Sequence, residues 1–353
     1  MAILKITINE FINLPKGEYL LLDVRSPGEY NHAHIPAALS LPLFTDEERK
    51  VVGTAYKQES KEQAVKIGLS YFGPKMNLLI ETVEKIMSVN NLGPANKKDF
   101  SIIVHCWRGG MRSAGVAWLL DLYGFKVSTI IGGYKAYRNF VLQQFELTYQ
   151  FKVIGGYTGS GKTEIIDTIK QKGETIIDLE GLAKHKGSAF GNMAGIPQSS
   201  QEMFENLLAT ELYNNKDKNI WVEDESQRIG NLNIPTKLYN LKQASPVYFL
   251  DIPFEERLEY IVAGYGNAGK DKLVNAIIRI KKRLGGLDTK NAINYLLEDD
   301  IKGCFSILLK YYDKHYLKGL YNRDNINTLL TTIPCEKVDA NSNTQSLLNI
   351  KSV

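Results

Sequence analysis

The stretch Cys106-Trp-Arg-Gly-Gly-Met-Arg112 puts one thiol, two arginines and two adjacent glycines on a single short segment. The apolar run Ser101–Val104 leads into it, and Ala114–Leu120, which reads as a helix, follows. A loop between a strand and a helix N-terminus gathers backbone N–H groups, and the helix dipole adds positive potential there. That field favours a thiolate over a thiol. Gly109 and Gly110 let the backbone curl without a Cβ clash, and Arg112 is suited to grip an oxyanion through two N–H bonds. The expected chemistry is a nucleophilic sulfur, Cys106, in a cradle for a tetrahedral anion. The plainer alternative is a buried structural cysteine.

A second anion grip is Gly156-Tyr-Thr-Gly159-Ser160-Gly161-Lys162-Thr163, which fits G-x4-G-K-T between a strand and a helix. Its N–H groups wrap a diphosphate, Lys162 neutralises it, and Thr163 holds Mg²⁺. The partner acid should end a nearby strand. Asn219–Glu223 runs into Asp224 and Glu225. Asp224 is the first expectation for the magnesium shell, Glu225 the second, and Asp178 a further candidate. Simple capping of strand ends is the alternative for each. The loop recognises adjacent phosphoryl groups, so a diphosphate on another organic group fits as well as a nucleotide.

Two further segments have binding potential. Residues 270–290 carry seven Lys/Arg against Asp271 and Asp288. On a helix, Leu273, Ala276, Ile277, Ile280 and Leu284 share one face and Lys272, Arg279, Lys282 and Arg283 another. The basic stripe is a candidate contact for nucleic-acid phosphates, weighed against an ordinary solvated face. The glycine-rich stretch 185–195, with Lys186, Ser188, Phe190 and Met193, is a candidate loop for an apolar chain or a base, and His185 is a polar neighbour. Trp107 is placed to stack on a base or to pack on the sheet, the latter preferred.

The elements that must hold these groups alternate strand and helix. Tyr19–Val24, Ser101–His105 and Ser128–Ile131 read as buried parallel strands of a first domain, residues 1–145. Asp46–Asn90 reads as helical with breaks near Gly53 and Gly73-Pro74. A second α/β domain, 146–300, has strands at 151–155, 175–178, 219–223 and 246–251. Residues 301–353 read as a helical C-terminal extension. The 353 residues, 44% apolar and 23% charged, suit two globular domains. No run is long and apolar enough for a membrane span. Cys106, Cys304 and Cys335 form no CxxC pair, which argues against a disulfide framework or a zinc site. The last two read as structural thiols. Cysteine usage and the absence of a signal-peptide layout point to the cytoplasm. A net charge of +4 neither demands nor opposes a nucleic-acid partner.

The order Asp23-Val-Arg25, Glu29-Tyr30, His34-Ile-Pro36 and C-x5-R resembles the rhodanese fold. Ala33 stands where that family usually has glycine before the His-Ile-Pro, a departure that weakens the expectation of a turn slightly and leaves the thiol loop untouched. Rhodanese loops are usually one residue shorter; this longer form resembles the dual-specificity phosphatases of the same fold, whose ring accepts a phosphate. The linking sequences LPLFTDEERKVVGTAYKQ, DLEGLAKHKGSAFG and EDESQRIG are similar to those of tRNA 2-selenouridine synthases, over residues 15–290. That resemblance implies a rhodanese-like domain fused to a P-loop NTPase-like α/β domain with a helical C-terminal region. It implies a transferase whose substrate is tRNA with wobble 2-thiouridine and whose co-substrates are geranyl diphosphate and selenophosphate. The geranyl group goes onto sulfur first, and selenium then replaces the geranylated sulfur. On this reading Cys106 handles the chalcogen through a transient Cys–Se species, while Arg108 and Arg112 hold the phosphoryl end. The rivals are a nucleotide-regulated sulfurtransferase, a phosphatase, and a tRNA-binding adaptor without catalysis.

Overall fold

A computed structural model describes residues 3–15, 17–89, 100–185, 197–265 and 269–350. The chain divides into two compact units, Met1–Gln144 and Phe145–Val353.

In the first unit β1 (Leu4–Ile6), β2 (Tyr19–Asp23), β3 (Leu39–Ser40), β4 (Ser101–His105) and β5 (Lys126–Ile130) form one parallel sheet in the order β1-β5-β4-β2-β3. β2, β4 and β5 are buried after their first residue, as continuous apolar runs in a two-sided parallel sheet should be. One face packs Leu22, Val104 and Cys106 against Phe72, Val83 and Val116 of the covering helices. Between β3 and β4 run helices Asp46–Gln58, Lys61–Phe72 and Met76–Val89. Gly53 does not break the first of them, because an exposed glycine costs only about 1 kcal/mol inside a helix. The break falls at Glu59, and Ser60 caps the next helix through the N–H of Gln63. Gly73-Pro74 does mark a junction, a short 3₁₀ turn.

The second unit repeats the logic. β6 (Gln150–Gly156), β7 (Ile176–Ile177), β8 (Asn219–Glu223), β11 (Val247–Asp251) and β12 (Leu330–Pro334) pair in parallel in the order β12-β11-β6-β8-β7. The hairpin β9 (Arg228–Ile229) and β10 (Leu232–Asn233) lies between β8 and β11 in sequence. Helices Phe254–Tyr265, Lys270–Leu284, Gly286–Leu297 and Ile301–Tyr321 share a core built on Leu258, Ile277 and Phe305. The segment beyond residue 300 is helical over Ile301–Tyr321 but also supplies β12, paired with β11 at five positions. Both anion grips therefore leave the C-terminal ends of central parallel strands, where loops of such sheets carry their ligands.

Candidate active site

In the first unit β4 delivers Cys106, 3% exposed, into the loop that opens helix Met111–Leu122. Its Sγ lies 3.3 Å from the Ser113 hydroxyl, which also reaches the Gly110 carbonyl at 3.1 Å. The loop is braced from the end of β5. The N–H groups of Tyr134 and Lys135 donate to the carbonyls of Cys106 and Trp107, each at 2.9 Å. A Cβ on Gly133 would sit 2.3 Å from the Cys106 carbonyl oxygen and 2.5 Å from the Gly109 nitrogen. Gly109 itself has φ +62° and faces the Ile130 carbonyl. Gly110 needs no such freedom: its φ is −101° and an added Cβ meets nothing within 4 Å. The glycine that lets the loop close is thus Gly133, with Gly109, rather than Gly110.

Arg112 is oriented by Glu29, with Nη1–Oε2 at 2.7 Å and Nη2–Oε1 at 3.4 Å. Burial alone would lower the guanidinium's pKa, but Glu29 outweighs it and raises it, with Cys106 adding in the same direction. The Glu29 carboxyl is pushed up by burial, yet Arg112 prevails and holds it below its ordinary range. Arg108 is exposed. Trp107 is 38% exposed, its ring tilted 5.6 Å from that of Tyr134.

The Asp23-Val-Arg25 signature turns out to be scaffold. Arg25 binds the Asp23 carboxylate through Nε at 2.9 Å and Nη2 at 2.6 Å, donates to the Ala33 carbonyl at 2.7 Å, and lies 3.8 Å over the Tyr134 ring. Ala33 carries no penalty, because its φ of −166° is extended backbone open to any residue. His105, wholly buried beside Asp23, is pushed down to about 4 by that burial and is neutral near pH 7.

In the second unit the phosphate loop runs from β6 into helix Lys162–Gln171. Lys162 Nζ donates to the Gly156 carbonyl at 3.0 Å. Ser160 is buried and its hydroxyl donates to the Tyr157 carbonyl at 2.7 Å. Two long-range contacts clamp the loop. Tyr316 accepts from the Gly156 N–H at 3.1 Å and donates to Asp224 at 2.8 Å. Arg257 donates to the Thr158 carbonyl at 3.1 Å and pairs twice with Asp313, at 2.9 and 2.8 Å.

The acids separate into two sets. Asp224 is engaged by Lys242 at 3.3 Å, by Arg323 and by Tyr316. Burial would raise its pKa, but Lys242 and Arg323 hold it below the ordinary range. With both oxygens engaged by cations and a hydroxyl, Asp224 serves as a structural anchor within the lining of the phosphate-loop cavity. Asp178 caps helix Leu179–Ala183 through the Gly181 N–H at 2.6 Å. Facing Thr163 stands an acid that sequence reading passed over, Glu180, with Oε2 3.4 Å from Oγ1. Glu223 and Glu225 crowd it. Burial and then Glu180 push Glu223 well above its ordinary value, and push Glu225 up to about 8. Oε1 of Glu223 is buried without a hydrogen-bond partner. Among the described residues no three His, Cys, Asp or Glu side chains stand in metal-holding geometry.

Lys272, Arg279, Lys282 and Arg283 are exposed on helix Lys270–Leu284, whose opposite face buries Leu273, Ala276, Ile277 and Leu284. Lys186, Ser188, Phe190 and Met193 lie outside the described residues. Cys304 and Cys335 are buried, and burial pushes their thiols up to about 12 and about 11. Among the described residues no helix is long and apolar enough to cross a membrane.

A thiol loop on a rhodanese-type sheet and a phosphate loop on a second parallel sheet, in one chain, define a two-domain group-transfer architecture. The comparisons agree. Residues 7–140 match the rhodanese-like domain, and residues 149–332 match the tRNA 2-selenouridine synthase AAA domain. A tRNA 2-selenouridine synthase from Bdellovibrio bacteriovorus is 31% identical, covering 92% of this chain and 94% of its own length. One from Shewanella halifaxensis is 33% identical over 90% and 93%, and one from Pseudomonas syringae pv. tomato 34% over 75% of each. The chain belongs to the tRNA 2-selenouridine synthase family and is an enzyme.

Proposed function

We propose that the enzyme converts wobble 2-thiouridine of tRNA into 2-selenouridine through S-geranyl-2-thiouridine, using geranyl diphosphate and then selenophosphate, in the cytoplasm. The observation that carries this reading is the presence in one family member of two anion grips of different chemistry, one with a thiol and one with an ammonium.

In the first step the thiouridine sulfur attacks C1 of the geranyl group. The C–O bond breaks, diphosphate leaves, and the base loses its N3 proton. Gly156, Gly159, Ser160, Gly161, Lys162 and Thr163 receive the diphosphate as its charge develops. Thr163 and one or two of Glu180, Glu223 and Glu225 would hold Mg²⁺, Glu180 standing 3.4 Å from the Thr163 hydroxyl. One or two carboxylates plus substrate phosphates are the usual magnesium shell, and the cation would supply neutralising charge there. Alkylation is what makes the second step feasible, because a thiocarbonyl sulfur is a poor leaving group and a geranyl thiolate a better one.

Selenium in selenophosphate is already at the selenide level, so a Cys–Se bond would require an oxidant. Attack of the Cys106 thiolate on phosphorus instead balances: the P–Se bond breaks, an S–P bond forms, and selenide leaves. Selenide adds to C2 of the base and geranyl thiolate departs; water then releases phosphate from Cys106. Arg112, fixed by Glu29, and Arg108 hold the phosphoryl oxygens. Lys272, Arg279, Lys282 and Arg283 provide phosphate contacts for tRNA.

Mass spectrometry of tRNA incubated with the protein, each co-substrate omitted in turn, tests the scheme. Without selenophosphate the S-geranyl nucleoside should accumulate; without geranyl diphosphate neither product should form. Undiminished 2-selenouridine in the absence of geranyl diphosphate refutes the order. Release of phosphate with no change in tRNA supports the phosphatase reading instead.

A further inference from the structure

We infer that the cavity beside the phosphate loop seats the hydrocarbon chain of a prenyl diphosphate, and that the wall formed by helices Phe254–Tyr265 and Ile301–Tyr321 selects its length. The inference rests on the proposal that the phosphate loop takes geranyl diphosphate, and it names the residues that would choose that ligand over a nucleotide.

The cavity measures about 750 Å³, within the usual span of small-molecule sites. Its lining has two chemistries. At one end lie the phosphate loop and the acids Glu180, Glu223, Asp224 and Glu225. The helices contribute Ile261 and Ala263 on one and Phe305, Leu308 and Leu309 on the other as the apolar part, with Tyr260, Tyr312 and His315 as polar groups of the same lining. The apolar wall starts at the loop itself, since a Cβ on Gly159 would lie 2.8 Å from Cδ1 of Ile261.

Along helix Ile301–Tyr321 the lining changes with distance from the loop. Tyr316 bonds the loop at Gly156. Tyr312 and His315 line the cavity within the next turn, then Leu308 and Leu309, then Phe305. From Tyr316 to Phe305 the helix advances about 16 Å, a length over which five- and ten-carbon chains make different contacts. Phe305, Leu308 and Leu309 are only 1–2% exposed and belong to the helical core, so their floor is close-packed and apolar. A nucleoside laid on Phe305, Leu308, Leu309 and Ile261 would set base edges and ribose hydroxyls against side chains that neither donate nor accept, which is unfavourable. A branched hydrocarbon chain leaves nothing unpaired there and loses apolar surface to the wall.

Calorimetry on the full chain with inorganic diphosphate, dimethylallyl diphosphate, geranyl diphosphate and ATP tests this. Affinity should rise with carbon count, geranyl diphosphate binding at least tenfold tighter than inorganic diphosphate, a gain of about 1.4 kcal/mol or more. Ala263 is exposed at the cavity edge, so Ala263→Trp fills the groove without disturbing the core. That variant should lose at least tenfold in geranyl diphosphate affinity and less than twofold for inorganic diphosphate, the latter certifying its fold. Equal affinity for inorganic and geranyl diphosphate, or equal weakening of both in Ala263→Trp, overturns the inference and leaves the phosphate-loop assignment standing. Binding of ATP with no binding of any of the three diphosphates overturns both.

Discussion

Gly133→Ala should cripple the thiol loop from the far side of its backbone. The new Cβ would lie 2.3 Å from the Cys106 carbonyl oxygen, and ordinary contact begins at 3.4 Å. Relief requires the loop or the β5 end to retreat by about 1 Å, because the groups in the way are backbone and cannot rotate aside. The residue also holds φ +56°, which costs a non-glycine residue about 1–2 kcal/mol. Overpacking adds about 1–3 kcal/mol, for a total of about 2–5 kcal/mol. In a unit spanning Met1–Gln144, that lowers the melting temperature by roughly 6–15 °C. A displacement near 1 Å of a reacting group costs about 10²-fold in rate. The assay is the two-step modification followed by mass spectrometry, beside a thermal melt. Selenation should fall about 10²-fold while S-geranylation keeps its rate. Gly110→Ala is the matched control: with open space around the new methyl, it should cost under about 1 kcal/mol. Wild-type selenation and melting in Gly133→Ala, or equal damage from Gly110→Ala, would refute the claim that β5 braces the thiol.

Five other outcomes are expected. Cys106→Ala should abolish selenation and spare geranylation, whereas Lys162→Ala should weaken diphosphate binding at least tenfold by calorimetry; unaltered values in either variant remove that residue from its step. Asp224→Asn strands Lys242 and Arg323 in the interior and should cost about 3–5 kcal/mol in urea unfolding; a loss below about 1 kcal/mol would mean that the triad is not an anchor. Glu225, raised to about 8 chiefly by burial and next by Glu180, keeps its proton longer folded than unfolded. Its stabilising contribution is therefore complete below about pH 4.5 and is lost as pH rises through about 8. The melting temperature should decline from pH 5 to 8, and Glu225→Gln should flatten the decline; a variant as steep as wild type contradicts the assignment. Charge reversal at Arg279 and Arg283 should lower tRNA affinity and reduce the salt slope by about 2, and an unchanged slope excludes the stripe.

Much of this architecture was legible in the chain because its central strands are buried on both faces. Ser101–His105 and Asn219–Glu223 are continuous apolar runs, and both appear as strands with those bounds. Of the four edge strands of the two sheets only β7 was legible, read at 175–178; the other three were not, for the same reason inverted. β1 has three residues, β3 has two, and Leu330–Pro334 buries only Ile333 fully. Pairing with a neighbour, not composition, makes these strands. The loops that hold anions were readable from glycine and lysine spacing, but the residues that fix them were not. Tyr316 and Arg323 lie 92 and 99 positions from Asp224, and Glu29 lies 83 from Arg112. No local pattern announces such partners.

The choice among Glu223, Asp224 and Glu225 is the instructive failure, because the relevant rule was available. Successive side chains on an extended strand point to opposite sides. β8 keeps its ladder as far as Asp224, whose N–H donates to the Ile154 carbonyl at 3.0 Å, and the chain then turns tightly, the Glu225 N–H donating to the Glu223 carbonyl at 2.9 Å. Alternation puts Glu223 and Asp224 on opposite sides, Asp224 meeting Lys242, Arg323 and Tyr316, and the turn then brings Glu225 near Glu180 and Lys162. The two sides carry opposite electrostatic imbalances. Asp224 is held below its normal pKa by cations already in place, so it gains nothing from another. Glu223 and Glu225 are held above theirs by burial among like charges, which is the condition a cation arriving with a diphosphate would relieve. The carboxyls that can answer to ligand binding are thus the strained pair. Proton release on binding of magnesium diphosphate, reduced in Glu225→Gln and unchanged in Asp224→Asn, is the measurement that distinguishes them from the anchor.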